Sequence, residues 1–459
     1  MKKMTIQKFE PVFASEGAAD TDEVYAEYAG LGMVDERLRY KAFNKIVQTG
    51  QEKTNELIRL GVKTVGDAAA DDVHTKNFFP NDFGRGADAS NIFDLSSDEL
   101  YNFVYCRTAD NQRLLIGGCD GAIQGFNIET EASVGDIVSS AQLATGIPAT
   151  MTAPDVYSVA CDSEWVYALV VYEAVSEAVV QSFSISDGSV NPDWPAEGLA
   201  MSALAVSFNY FEARIRWVSE TQLAVCQPWI TVTSGTSSGI VVVDSADGTQ
   251  LGSGVGDYPG SSARVIDVCG NGDYAFGLVQ EAGQAYLCSM SLTSYGATGC
   301  GGTGWPVLTS VNHDDGDSGR IMCAGNTVVA TFRVAPQLVM ADVVRGPVLS
   351  STSGDAGVVG SLGPIAFTGI NWWALGSRTS YTQTVYKIKI GAYQNTAVAS
   401  TAPIDEHVDV YCDYRDQNYD VATYYKNNLV FDGRDLWYYE TDSDGGMFSF
   451  RRFFRANTR

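Results

Sequence analysis

Histidine is nearly absent from this sequence: His74, His313 and His407 are the only three in 459 residues. A Ser/His/Asp triad needs a histidine beside a nucleophile and an orienting carboxylate, and three scattered histidines offer little material for one. The nine cysteines contain no CxxC pair, which argues against a zinc ribbon or a thioredoxin-type site. No G-x-G-x-x-G or P-loop pattern leads from a strand into a helix, and no G-x-S-x-G stands in a strand-to-helix context. Apolar runs are too short to cross a bilayer, and the N-terminus MKKMTIQKFEPVFASEG carries lysines without the apolar core of a secretion signal. Positive charge is scarce too. Thirty Lys and Arg face 55 Asp and Glu, a formal net charge of −25. Repulsion from phosphate then disfavours nucleic acid and anionic membrane surfaces as partners.

What the chain does contain is core-forming material. Hydrophobic residues make up 45% and charged residues only 19%, with 46 Gly, 23 Tyr and 20 Phe. Such a mixture favours many short strands joined by Gly, Asp and Asn turns. The stretch 159–173, VACDSEWVYALVVYE, has two apolar runs around a short polar break and reads as a tight hairpin. That hairpin recurs. The first large apolar residue after each polar turn falls at Leu114, Trp165, Leu223, Tyr274, Val328, Trp372 and Leu436, at intervals of 51, 58, 51, 54, 44 and 64 residues. Each is followed by a third apolar run, often ending in a turn such as Asp187-Gly188 or Asp247-Gly248. Repeats of roughly 50 residues holding three or four antiparallel strands are the mark of propeller blades. One such sheet cannot cover both of its faces, so blades must stack. The expected fold is mainly β: a β-propeller of about seven blades over residues 92–459, with a strand near Ile92–Ser96 completing the last blade. Two β-sandwiches are the alternative architecture.

Residues 1–62 differ. From Tyr40 to Leu60 apolar and small residues recur at steps of three and four (Phe43, Val47, Gly50, Thr54, Leu57), with Ile46 and Ile58 widening the stripe. This predicts an amphipathic helix stopped by Gly61, suited to a bundle of several copies or to packing on its own propeller. Residues 63–91 are small and polar and read as a linker.

Candidate chemistry is sparse. His313 sits among Asp314, Asp315 and Asp317, and Glu440, Asp442 and Asp444 form a fragment of a calcium-loop pattern without its closing Glu. Neither spacing completes a site, so the expectation is no cofactor, no metal and no catalytic residue. Paired carboxylates of glycosidase type meet in space, and the sequence singles out no such pair. Tyr411, Tyr414, Tyr419, Tyr424 and Tyr425 cluster in one insertion, where rings beside Asp and Asn suit a sugar or protein contact; Tyr414, Tyr419 and Tyr424 are the surface-contact candidates. The cysteines mostly lie inside apolar runs and are expected to be reduced and buried.

The N-terminal region resembles the head of tail-fibre and other tail-appendage proteins of tailed bacteriophages. The residues that carry the likeness are Phe13-Ala14-Ser15-Glu16-Gly17-Ala18, Gly30-Leu31-Gly32-Met33, Phe43-Asn44-Lys45-Ile46 and Leu60-Gly61-Val62. The resemblance implies a virion structural protein made in the host cytoplasm. Residues 1–62 would attach it to other tail proteins as a trimer or ring, with Phe43, Ile46, Val47 and Leu57 at the contact. The propeller would bind a host-surface glycan or protein or make assembly contacts. A tail-borne glycan-degrading propeller enzyme and a cellular propeller scaffold are the alternatives.

Overall fold

A computed structural model describes residues 102–453, apart from 131, 173–176, 202–213, 227–238, 259–263, 282, 296–298, 302–303, 313–318, 333–336, 345, 354–360, 370–371, 380–381, 389–403, 412–427, 434–435 and 442–447. The chain divides into two units, Met1–Gly86 and Ala87–Arg459, and every described residue belongs to the second. The predicted helix, the linker and the strand near Ile92 lie outside the described residues.

Among the described residues, strands form seven antiparallel sheets in which consecutive strands are neighbours. Sheet 1 takes β1 (Asn102–Arg107), β2 (Arg113–Cys119), β3 (Ala122–Asn127) and β4 (Ala132–Val138). A single helical turn, α1 (Ser140–Leu143), leads to sheet 2: β5 (Pro154–Cys161), β6 (Trp165–Tyr172), β7 (Glu177–Ser184) and β8 (Leu199–Ala200). Sheet 3 holds β9 (Arg214–Trp217), β10 (Gln222–Cys226), β11 (Ile240–Asp244) and β12 (Gln250–Gly254). In sheet 4 are β13 (Arg264–Gly270), β14 (Tyr274–Glu281), β15 (Gln284–Ser291) and β16 (Val307–Asn312). Sheet 5 comprises β17 (Gly319–Ala324), β18 (Thr327–Phe332), β19 (Gln337–Asp342) and β20 (Gly346–Ser353). Sheet 6 follows with β21 (Ser361–Phe367), β22 (Trp372–Thr379), β23 (Thr382–Ile388) and β24 (Ile404–Tyr411). Sheet 7 shows three strands: β25 (Val430–Phe431), β26 (Leu436–Thr441) and β27 (Phe448–Phe453).

The first strand of each sheet packs against the first strand of the next, from β1 through β5, β9, β13, β17 and β21 to β25, and β25 returns to β1. The sheets therefore close into a propeller-like ring. Two opposed sandwich layers are excluded by this circuit. The hairpin at 159–173 is β5 and β6, paired with Cys161 opposite Val166, and all seven anchor residues fall on the second strand of a sheet.

Why closure is required can be read along β6. Val166, Ala168, Val170 and Tyr172 enter a core shared with sheet 1, while Tyr167, Leu169 and Val171 enter one shared with sheet 3. Side chains alternate across a strand, so one unbroken apolar run serves two neighbours. Sheet 3 repeats the pattern, with Leu223 and Val225 facing sheet 2 and Ala224 and Cys226 facing sheet 4. The last interface joins sheet 7 to sheet 1: Trp437 packs with Phe103, Leu115, Cys119 and Phe126. Around it Asn428 Nδ2 donates to the Phe103 carbonyl at 2.9 Å, and Arg113 pairs with buried Asp432 at 2.8 Å.

A second set of ties runs near the turns between third and fourth strands. The Trp194 indole donates to the Ser245 carbonyl at 2.9 Å, and the Trp305 indole to the Asp342 carbonyl at 3.1 Å, each reaching into the following sheet. In sheet 1 the same task falls to α1. Gln142 Oε1 accepts from Ser139 N, and its Nε2 donates to the Asp187 carbonyl, both at 2.8 Å. The receiving turns need glycine twice over. Gly188 and Gly248 have φ of 70° and 72°, and a Cβ on Gly248 would stand 2.8 Å from the Trp194 ring. Gly248→Ala is expected to cost about 1–3 kcal/mol through strain and displacement of Trp194, read as a lowered denaturant midpoint. Trp437→Ala should cost about 3–5 kcal/mol at the closing interface, measured the same way.

Candidate functional site

The first strands make the middle of the ring, and three of them carry a bulge. Register slips between Val156 and Ser158, between Val265 and Asp267, and between Leu362 and Ile365. Ser158 and Asp267 each stand seven residues before their sheet's anchor, and both use the bend to reach forward into the next sheet. Ser158 Oγ accepts from Ile215 N at 3.1 Å. Asp267 Oδ2 accepts from Ile321 N at 3.0 Å. A bulge bends its strand and re-aims side chains, which is the service required here.

Asp267 does more. It is wholly buried, its Oδ1 accepts from Val268 N at 2.9 Å, and both oxygens accept from Arg216, Nε at 3.2 Å and Nη2 at 3.2 Å. One carboxylate so ties sheets 3, 4 and 5 through a two-pronged ion pair and two backbone amides, the geometry that makes a buried charge tolerable. Buried Arg214 and Arg320 stand on the flanking first strands β9 and β17. Burial first, then repulsion from Arg320, push the Arg214 guanidinium well below the ordinary arginine range. The Arg216 side chain also lines a cavity of about 280 Å³ with Asn102, Tyr105, Cys161, Trp217 and Asn428, room for on the order of ten waters. Asn102 Oδ1 is buried there without a hydrogen-bond partner.

A larger opening, about 750 Å³, lies between sheets 1 and 2. Val134, Ile137 and Ile185 supply apolar surface, Val134 being 48% exposed. Asp110, Asp136, Glu164 and Asp187 supply carboxylates. Two of these also hold turns: Asp110 accepts from Thr108 Oγ1 at 2.5 Å and Gln112 Nε2 at 2.7 Å, and Asp187 from Ser189 N and Oγ at 3.0 and 2.7 Å. Those bonds hold both carboxyls below the usual range. An analogous cleft of about 720 Å³ between sheets 3 and 4 has Glu220, Asn271 and Asp273 on its walls. Inter-sheet clefts are thus a repeated product of the architecture, and the one between sheets 1 and 2 has the larger acidic set.

Phe43, Ile46, Val47, Leu57, Tyr414, Tyr419 and Tyr424 lie outside the described residues, as do His74, His313 and the acidic loop around it. His407 is on β24, opposite Tyr386. Among the described residues no three His, Cys, Asp or Glu side chains gather as a metal site. The eight described cysteines are unbridged, five of them buried. Asp267 and Ser158 belong to no motif in the sequence. The available signal was a polar residue inside an otherwise apolar first-strand run, RVIDVCG and PDVYSVAC.

No family model and no curated protein matches the sequence. Solved structures do match in part. A chain of the mitotic checkpoint complex is 12% identical with a TM-score of 0.49, over 79% of this chain and 91% of that one. The Myceliophteria thermophila Cps50 (Swd1) β-propeller domain is 9% identical with a TM-score of 0.45, over 78% and 98%. Kuenenia stuttgartiensis hydrazine synthase is 11% identical with a TM-score of 0.47, over 77% and 96%.

Removing the Asp267 carboxylate leaves buried guanidinium uncompensated, so Asp267→Ala is expected to cost about 3–5 kcal/mol. Asp267→Asn combined with Arg216→Met should recover a substantial part of that loss. Denaturant midpoints of the three proteins check both statements.

Proposed function

We propose that this chain is an interaction scaffold: a β-propeller of seven blades that works by holding binding surfaces in a fixed array. The observation that supports this reading is the use of polar side chains as ties between neighbouring sheets. Asp267, Ser158, Arg216, Trp194, Trp305 and Gln142 are all engaged in joining one sheet to the next. Such a frame keeps its clefts and turns in place at little entropic cost on binding. The cleft between sheets 1 and 2 is the leading contact surface. Its carboxylates and carboxamides suit a partner rich in hydroxyl or amino groups, a glycan or a basic peptide segment.

The resemblance of residues 13–62 to phage tail-appendage heads supports a second, narrower reading in which the scaffold is mounted on a virion tail. Phe43, Ile46, Val47 and Leu57 would then pack copies together. Several propellers on one particle would add avidity toward a host-surface glycan or protein.

Two experiments test these readings. Charge reversal at Asp136→Lys with Glu164→Lys is expected to weaken binding to bacterial surface polysaccharides and to oligolysine by tenfold or more while leaving the melting temperature in place. Unchanged binding would remove the cleft from the proposal, and shortened polysaccharide chains would favour a glycan-degrading enzyme. Light scattering of the full chain beside one lacking residues 1–62 should show a trimer or ring falling to monomer. A monomer in both cases leaves the scaffold reading in place without the tail mount.

A further inference from the structure

Four cysteines occupy matching places near the ends of first strands: Cys106 on β1, Cys161 on β5, Cys269 on β13 and Cys323 on β17. They form two cross-sheet pairs. In the first, each thiol donates to a backbone carbonyl beside the other cysteine. Cys106 Sγ reaches the Asp162 carbonyl at 3.0 Å, and Cys161 Sγ reaches the Tyr105 carbonyl at 3.4 Å. Reciprocal bonds of this kind are made only by side chains lying next to each other across the seam. In the second pair the strands are pinned on both sides of the thiols. Ile321 N donates to Asp267 Oδ2 at 3.0 Å, and Asn271 Nδ2 donates to the Gly325 carbonyl at 3.1 Å. Cys269 and Cys323 are the midpoints of those two spans. One member of each pair, Cys161 and Cys323, is only half-buried, and Cys161 lines the cavity inside the ring.

We propose that Cys106–Cys161 and Cys269–Cys323 are two dithiol sites that oxidise to inter-sheet disulfides, one locking the seam between sheets 1 and 2 and the other the seam between sheets 4 and 5. The oxidant is a small disulfide such as glutathione disulfide. One cysteine thiolate attacks it, forming a mixed disulfide and releasing one small thiol. The second cysteine then attacks the protein-bound sulfur and displaces the other small thiol, so two protons and two electrons leave the pair and the oxidant's S–S bond is reduced. The neighbouring Cys106 thiol and then burial raise Cys161 well above the ordinary thiol range. Burial and then the Cys323 thiol do the same to Cys269. Cys161 and Cys269 are therefore poor nucleophiles at neutral pH, and bridging through them quickens as the medium becomes alkaline. Each bridge closes a loop of more than fifty residues, which restricts the unfolded chain and raises thermal stability.

The test incubates the full-length native protein with glutathione disulfide at pH 7 and pH 9. Free thiols are then trapped with iodoacetamide during denaturation, and bridged peptides are mapped by mass spectrometry. Expected are the two bridges Cys106–Cys161 and Cys269–Cys323, formed several-fold faster at pH 9, with a melting temperature raised by about 5 °C per bridge. Cys106→Ser and Cys269→Ser should each delete only their own bridge, whereas Cys119→Ser should delete neither. Absence of both bridges, a dominance of pairings with Cys119, Cys226 or Cys288, or a bridged protein that melts no higher than the reduced one would overturn the proposal.

Discussion

Every sheet in this molecule has two apolar faces, and this constraint governs the rest. A strand such as β6 sends alternate side chains into two different cores, so a sheet standing alone would leave one of them wet. Adding another sheet moves the exposed face along by one place. Only a closed circuit removes it, and the packing of Trp437 against Phe103, Leu115 and Phe126 completes that circuit. The polar ties follow from the same geometry. Among the described residues successive first strands belong to different sheets, so side chains at the bulges, Ser158 and Asp267, help to bridge the seams between them.

Much of this was legible in the sequence. Repeated hairpins located the second and third strands of all seven sheets, because a strand buried on both faces is written as an unbroken apolar run beside a short turn. The fourth strands were harder to see: β4 has an exposed, small-residue pattern and β8 is two residues long. The helical turn α1 gave no periodic signal because four residues are too few to show one.

The ties between sheets were less legible still. Nothing in local composition says that Asp267 will meet Arg216 and Ile321, since those residues come together only when three repeats are stacked. The indoles of Trp194 and Trp305 look like ordinary core residues in sequence, yet their N–H groups perform the same cross-sheet task in different repeats. Equivalence of this kind becomes visible only when places in the ring, instead of neighbouring residues, are compared.

The pairing of Arg113 with Asp432 joins positions separated by more than three hundred residues. During synthesis, therefore, the flank of the first sheet carrying Phe103, Leu115 and Phe126 stays bare until Trp437 and its sheet have left the ribosome. At ordinary elongation rates that is an exposure of tens of seconds. The nascent chain thus spends its most adhesive period waiting for the seventh sheet, and cellular factors that shield apolar surface would have to act within that interval.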